Sequence, residues 1–199
     1  MDFSQVASNA LRDGIVAREL TLKNQLENLV QIGKVCSEAI ESGCKVLLCG
    51  NGGSAADAQH LAAELLIRLR PNLTRQTLPA LALAMDSSTL TACGNDLGFD
   101  AIFDRMVEAF GKRGDVLIAI TTSGKSPNVL RALKKAKELG LVTVGFLGLN
   151  GGPAQEMCEH TFNAQTEITA RIQELHITAG HIVMEIVEEH LIEKGIIKK

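Results

Sequence analysis

Short apolar runs alternate with helical patterns along most of the chain. Four runs of five or six residues, at 45–49, 79–84, 115–120 and 142–147, are typical of strands buried on both faces. A fifth, weaker strand is predicted around 161–164. The stretches between them carry apolar residues at the three-to-four spacing of a helix. Because alternating strands and helices build βαβ units, the sequence predicts an α/β fold with a parallel sheet and helices on both faces.

Helical patterns also occupy both ends of the chain. Two helices are predicted before the first strand, the second ending near Gly43, which suits the C′ position. The last helix, from about 170 to 194, is apolar on more than one side. An apolar face this wide indicates either a subunit interface or a deeply buried helix. We favour the interface because the first helices also carry surplus apolar residues. A surface loop is predicted at 70–77.

Composition limits the class of protein. The 199 residues, 46% of them hydrophobic, suffice for one domain over 1–199, with 1–42 as an N-terminal helical segment. A net charge of −3 without Trp or Tyr argues against a nucleic-acid partner. No apolar run approaches the roughly 20 residues of a membrane span, and the N-terminus lacks a signal-peptide pattern. Five cysteines without CxxC spacing fit a reduced cytoplasm.

A glycine-rich loop follows the first predicted strand. Asn51, Gly52, Gly53 and Ser54 lead from that strand into a helix predicted to begin at Ala55. Glycines allow close approach of the backbone to a ligand, and the N-terminus of a helix favours an anion. The loop matches neither the Walker A nor the G-x-G-x-x-G pattern, so a nucleotide is not implied.

A hydroxyl-rich loop follows the third predicted strand, with Ser126 predicted as an N-cap before Pro127. Ligands of open α/β sheets bind at the carboxyl ends of strands. Either loop alone could be a polar turn with a good cap, but two on one sheet favour a binding site. Hydroxyls and backbone N–H groups together suit a phosphorylated sugar. The hydroxyls of this loop belong to Thr121, Thr122, Ser123 and Ser126.

Ionisable residues on two helices form a candidate catalytic or metal site. His60 and Glu64 are four residues apart and share a helix face. The last helix adds Gln173 and His181. Eight residues of helix rise by about 12 Å, so one ion does not easily contact both. Either Gln173 lies at a distorted helix start or the two residues act in neighbouring subunits.

Five segments together resemble the phosphoheptose isomerases of the SIS (sugar isomerase) superfamily, over about residues 2–194. The resemblance implies a three-layer flavodoxin-like fold and a homotetramer with active sites between subunits, the N-terminal helices contributing to packing. The segments are Cys-Gly-Asn-Gly-Gly-Ser (49–54), Gln-His-Leu-Ala-Ala-Glu (59–64), Gly-Asn-Asp (94–96), Thr-Thr-Ser-Gly-Lys-Ser (121–126) and Arg-Ile-Gln-Glu-Leu-His-Ile (171–177), followed by His181.

The resemblance also implies roles for residues. Glu64 and His181 correspond to the acid/base pair of an aldose-ketose isomerase that converts D-sedoheptulose 7-phosphate to D-glycero-D-manno-heptose 7-phosphate, a precursor of lipopolysaccharide core heptose. His60, Glu64, Gln173 and His181 correspond to the ligands of one zinc ion per subunit. The phosphosugar contacts correspond to Asn51, Gly52, Gly53, Ser54, Glu64, Arg68, Asn95, Asp96, Thr121, Thr122, Ser123, Ser126 and Gln173.

Two positions depart from the family pattern. Thr169-Ala170 stands where some members have an acidic residue, and Ile67 where a Gly often precedes the arginine. Two alternatives remain: a non-catalytic phosphosugar-binding SIS paralogue that associates with the replication initiator, and an enzyme acting on amino sugars or other phosphosugars. The paralogues lack the Glu and the final His, so the presence of Glu64 and His181 favours the isomerase.

Overall fold

A computed structural model describes residues 2–84 and 86–197. Its strands are β1 (Val46–Gly50), β2 (Ala80–Ala82), β3 (Val116–Thr121), β4 (Val142–Leu147) and β5 (His160–Asn163). Its α-helices are α1 (Phe3–Glu41), α2 (Gly53–Leu66), α3 (Ser87–Asp96), α4 (Ile102–Phe110), α5 (Pro127–Leu139) and α6 (Thr169–Glu193). Short 3₁₀ turns occupy Phe99–Ala101 and Gly152–Met157.

The five strands form one parallel sheet in the order β2-β1-β3-β4-β5. This is the order of flavodoxin-like folds, whose ligands bind at the switch point between the first and third strands. The predicted α/β class and the predicted strands are confirmed. Only β2 is clearly shorter than expected, because this edge strand pairs with three residues of β1 alone.

Two apolar clusters cover the two faces of the sheet. Val46 and Leu48 of β1 point into the cluster beneath α1, α2 and α6. Leu47 and Cys49 of the same strand point into the cluster beneath α4 and α5. This alternation explains why β1 and β3 are buried throughout and apolar at every position except Thr121, the last residue of β3. The predicted three-layer architecture is confirmed.

The N-terminal segment differs from the prediction, because one 39-residue helix replaces the two expected helices. Gly14 is buried against the side chains of Arg18, Glu174 and Arg171 and does not interrupt α1. The helix ends as predicted, with Gly43 at a φ of 79°. In residues 2–84 and 86–197, no helix has the length and apolarity needed to cross a membrane.

The surplus apolar surface lies on α1 rather than on α6. Buried residues of α6 belong to the core cluster, and its Ile177 and Ile182 pack against that cluster at partial exposure. Contacts with α1, α2 and the sheet thus account for the width of its apolar face. Exposed apolar side chains instead follow α1, at Phe3, Val6, Leu11, Ile15, Val16, Leu20, Leu22, Leu26 and Val30.

A buried histidine joins α6 to the carboxyl end of β4. His176 has no exposed surface, and its Nε2 lies 2.9 Å from the carbonyl oxygen of Leu147. Because a carbonyl only accepts hydrogen bonds, Nε2 carries the proton. Nδ1 is buried without a hydrogen-bond partner in the described part of the chain. Burial lowers the pKa of His176 from 6.5 to about 4.

His176 makes the free energy of unfolding depend on pH in the acidic range. Between pH 6.5 and 4 the unfolded chain binds a proton at His176 and the folded chain does not, so its contribution is complete above pH 6.5 and falls as the pH drops. We expect a loss of about 2 kcal/mol at pH 5. His176→Gln should therefore show a smaller fall in unfolding free energy between pH 7 and 5 than the wild type in urea denaturation. Equal falls would contradict the assignment.

Candidate active site

Three potential metal ligands meet where α2 lies against α6. The Nε2 atoms of His60 and His181 are 2.9 Å apart, and His60 Nε2 lies 3.3 Å from a carboxylate oxygen of Glu64. One ligand atom from each of the three residues lies within 4.8 Å of the other two. The structure thus brings the predicted acid/base pair together within one chain. The His60 side chain is 49% exposed, so the cluster faces solvent.

The geometry of this cluster suits a small cation. Two ligands at about 2.0 Å from a tetrahedral zinc are about 3.3 Å apart. This is close to the 2.9 Å and 3.3 Å that separate His60 Nε2 from His181 and from Glu64. Two imidazoles and one carboxylate are also a ligand set that zinc accepts. His60, Glu64 and His181 therefore form a possible metal site. Gln173 as a fourth ligand stays a prediction.

A glycine explains how the two helices come so close. Gly180, next to His181, is buried, and a Cβ added there would lie 2.5 Å from the methyl carbons of Leu61, next to His60. Leu61 is itself fully buried in the core. A larger residue at position 180 would have to displace the buried Leu61 side chain or separate α2 from α6. The sequence pattern did not single out Gly180, because its role depends on a partner 119 positions away.

Asp57 also belongs to the surroundings of the cluster and was not predicted. One of its carboxylate oxygens is buried without a hydrogen-bond partner in the described residues. Burial raises the pKa of Asp57, while the nearby His60 and His181 oppose this shift. Asp57 precedes His60 by one helical turn, which is the only signal in the sequence that could have indicated it.

The glycine-rich loop lies at the carboxyl end of β1. Gly52 adopts a φ of 55°, which favours glycine, and α2 begins at Gly53, two residues earlier than expected. Ser54 is buried in the first turn. A Cβ on Gly53 would lie 2.6 Å from the side-chain amide nitrogen of Gln173, so this amide covers the start of α2. Gln173 therefore contacts the predicted phosphosugar loop directly.

The hydroxyl-rich loop lies at the carboxyl end of β3, beside β1 in the sheet. Thr121 is buried, and its hydroxyl accepts the N–H of Gly124. Ser126 is the N-cap residue of α5 and Pro127 begins the helix, as predicted, although within the described chain the Ser126 hydroxyl makes no hydrogen bond to the first turn. Thr122 and Ser123 line a cavity of about 280 Å³ with residues 148–152.

An asparagine pair connects the two loops and was not predicted. The side-chain amides of Asn51 and Asn128 exchange two hydrogen bonds of 2.9 Å. The oxygen of Asn128, which is almost fully buried, also accepts the N–H of Val129. The position of Asn51 is thereby fixed relative to α5. Asn128 follows Pro127 in a region that reads as an ordinary helix start, so the sequence offers no signal for this contact.

Within the part of the chain that the structure describes, three residues that were predicted to contact the substrate make no hydrogen bond to either loop. Arg68 follows α2 and donates to the carbonyl oxygen of Pro71 at 3.2 Å. At the end of α3, the Asn95 amide donates to a carboxylate oxygen of Asp96 at 2.7 Å. Asp96 also lines an apolar groove of about 730 Å³ between α3 and α4. The structure leaves all three side chains exposed.

The contact at Gly180 can be tested by metal binding. We expect Gly180→Ala to separate α2 from α6 and to weaken Zn²⁺ binding by about tenfold, as measured by calorimetric titration. Gly145→Ala is a matched control, because a Cβ on this buried glycine of β4 would lie 2.8 Å from Cys158, away from the cluster. The control should lose stability and keep its affinity. Unchanged affinity in Gly180→Ala would contradict the proposed packing role.

Comparison with known proteins identifies the family of this chain. The SIS domain family profile matches residues 14–148. Phosphoheptose isomerase of Clostridium acetobutylicum is 50% identical over 183 residues, 91% of this chain and 92% of the relative. The Aquifex aeolicus phosphoheptose isomerase is 52% identical over 169 residues, 85% and 87% of the two chains.

A solved structure extends the similarity to the whole fold. The phosphoheptose isomerase from Francisella tularensis superimposes with a TM-score of 0.91 at 34% identity, covering 95% of this chain and all of that one. The superposition therefore extends well beyond the segment matched by the family profile. The chain belongs to the phosphoheptose isomerase family of SIS-domain proteins.

Proposed function

We propose that the protein isomerises D-sedoheptulose 7-phosphate to D-glycero-D-manno-heptose 7-phosphate, which supplies heptose for lipopolysaccharide core. The observation that carries this proposal is the clustering of Glu64, His60 and His181, which have one ligand atom each within 4.8 Å of the others. The similarity to phosphoheptose isomerases supports the same reaction. A non-catalytic paralogue is disfavoured, because such a protein has no need of a carboxylate and an imidazole at one site.

The sugar phosphate would be held by the loops after β1 and β3. Gly52 and Gly53 form the turn into α2, and the positive dipole end of this helix favours an anion. The hydroxyls of Thr122, Ser123 and Ser126 add donors from the second loop. Asn51, held by Asn128, and the buried hydroxyls of Ser54 and Thr121 would order these loops.

Glu64 is proposed as the base of the reaction. Converting a ketose to an aldose removes a proton from C1 and returns one to C2 through an enediol. Glu64 would take the C1 proton and deliver it to C2. His181 would move a second proton, that of the C1 hydroxyl, to the oxygen at C2. The carbonyl at C2 thereby becomes a hydroxyl, and the hydroxyl at C1 becomes a carbonyl.

His60, Glu64 and His181, with Gln173 as a fourth ligand, are proposed to hold one Zn²⁺ per subunit. When bound, zinc acts as a Lewis acid toward a carbonyl oxygen. Because a coordinated carboxylate is a poorer base than a free one, Glu64 would act as ligand and as base at different stages. Arg68, Asn95 and Asp96 are proposed to contact the substrate hydroxyls or phosphate, with Gln173 beside them.

A homotetramer with active sites between subunits is proposed from the surface of α1. Exposed apolar side chains such as Leu11 and Leu22, at 70% and 66% exposure, are costly in a monomer and are covered in an assembly. The solvent-facing position of His60 leaves room for a neighbouring subunit to close the site. We also propose one SIS domain over 1–199 and a cytoplasmic location, which suits five free cysteines.

Glu64→Gln tests the proposed base. The amide keeps the size of the side chain but cannot accept the C1 proton, so we expect turnover to fall at least about a hundredfold. Binding of sedoheptulose 7-phosphate, measured by calorimetry, should stay within a few-fold of the wild type. Glu138→Gln, an exposed change on α5, is the control and should retain activity. Full turnover in Glu64→Gln would refute the base assignment.

Replacing apolar residues of α1 tests the assembly. The double variant Leu11→Glu, Leu22→Glu places charges in the proposed interface, so we expect sedimentation velocity to show dissociation of a tetramer of 21.3 kDa chains and assays to show loss of turnover. Phe110→Glu, an exposed apolar position on α4, should leave the tetramer intact. A monomeric, fully active wild type would contradict the proposal.

A further inference from the structure

A buried ion pair lies behind the candidate active site and has no part in the reaction as described. Nε of Arg75 donates to a carboxylate oxygen of Glu188 at 2.8 Å, and the two side chains are 0% and 1% exposed. The other carboxylate oxygen of Glu188 accepts from Arg70 at 2.7 Å. Arg70 also pairs with Glu189. The group of two arginines and two glutamates is therefore electrically balanced.

Arg75 caps the carboxyl end of the helix that carries Glu64. One guanidinium nitrogen donates to the carbonyl oxygen of Glu64 at 2.6 Å, and the other to that of Leu65 at 2.8 Å. These carbonyls belong to the last turn of α2, where intrahelical N–H donors run out. The guanidinium thus fixes the backbone of Glu64 itself.

Glu188 ties the same guanidinium to the helix that carries His181. Glu188 follows His181 by seven residues, which is close to two full turns, so both lie on one side of α6 about 10 Å apart. Glu64 is therefore connected to His181 through the buried pair of Arg75 with Glu188 and two turns of α6. A buried ion pair adds little net stability relative to an apolar pair, but each charge requires its partner, so the two side chains are held in a defined geometry.

We propose that Arg75 and Glu188 are positioning residues that set the separation of Glu64 and His181. This inference rests on the proposed function for its kinetic consequences. It also predicts an effect on the metal site, which does not depend on turnover. The phosphate-binding loops after β1 and β3 lie outside this connection, so substrate affinity should be spared while the chemical step is slowed.

Glu188→Gln removes the charge and keeps the size of the side chain. We expect kcat to fall about tenfold, KM for sedoheptulose 7-phosphate to change by less than about twofold, and the Zn²⁺ dissociation constant to rise about tenfold. The matched control is Asp115→Asn. It breaks the partly buried pair of Lys45 with Asp115 (2.5 Å; 24% and 2% exposed), which lies just before β1 and β3, at the end of the sheet opposite to the two loops. The control should lose stability without changing kcat or zinc affinity.

Arg75→Lys provides a second route if Glu188→Gln does not fold. Lysine keeps the charge, but its donors all lie on one nitrogen and do not match the three separate guanidinium nitrogens that reach Glu188, Glu64 and Leu65. We therefore expect the same result, a lower kcat with little change in KM. A folded variant of either residue with wild-type kcat and zinc affinity overturns the proposal. A loss no larger than that in Asp115→Asn also overturns it.

Glu64→Gln separates this inference from the proposed function. If Glu64→Gln retains turnover, the base assignment fails, and the zinc titrations of Glu188→Gln still decide whether Arg75 and Glu188 position the site. If Glu64→Gln is inactive while Glu188→Gln resembles Asp115→Asn, only the positioning role fails.

Discussion

The contact between α2 and α6 is the constraint on which the site depends. The two helices come from distant parts of the chain and lie on the same face of the sheet, where Leu61 fills the space left by the missing side chain of Gly180. This packing brings the Nε2 atoms of His60 and His181 to 2.9 Å from each other. One turn further along α2 is Glu64, so the same contact decides whether a carboxylate and two imidazoles share one place.

Different parts of the fold provide the groups that would bind the phosphate and the groups that would carry out the reaction. Loops after two adjacent parallel strands offer backbone N–H groups and hydroxyls where a phosphate is expected. Helix faces on one side of the sheet provide the ionisable groups. The asparagine pair of Asn51 and Asn128 orders the first part, and the ion pair of Arg75 and Glu188 joins the helices of the second. Such a division allows substrate affinity and turnover to be altered separately.

The sequence predicted the sheet and the two loops well because these are local patterns. Apolar runs bounded by glycines and hydroxyls indicate buried parallel strands and the turns after them. His60 and Glu64 could be paired from their spacing on one helix. The division of α1 into two helices was wrong, because the stretch between the two apolar patterns, which includes Ala17 and Thr21, is buried within one continuous helix.

The unpredicted residues act through partners far away in the chain. Gly180 contacts Leu61, Asn128 contacts Asn51, and Arg75 contacts Glu188. None of these pairs has a periodic or motif signal. The apolar width of α6 was interpreted as an interface, yet α1 and α2 cover much of it, and the exposed apolar residues lie on α1 instead.

A crystal structure of Glu64→Gln soaked with sedoheptulose 7-phosphate is the most direct test of the account. We expect the phosphate at residues 121–126 and at the start of α2, with C1 and C2 of the sugar within about 3.5 Å of the side chains at positions 64 and 181. A sugar bound with its carbonyl end away from both side chains, in its own or a neighbouring subunit, would contradict it.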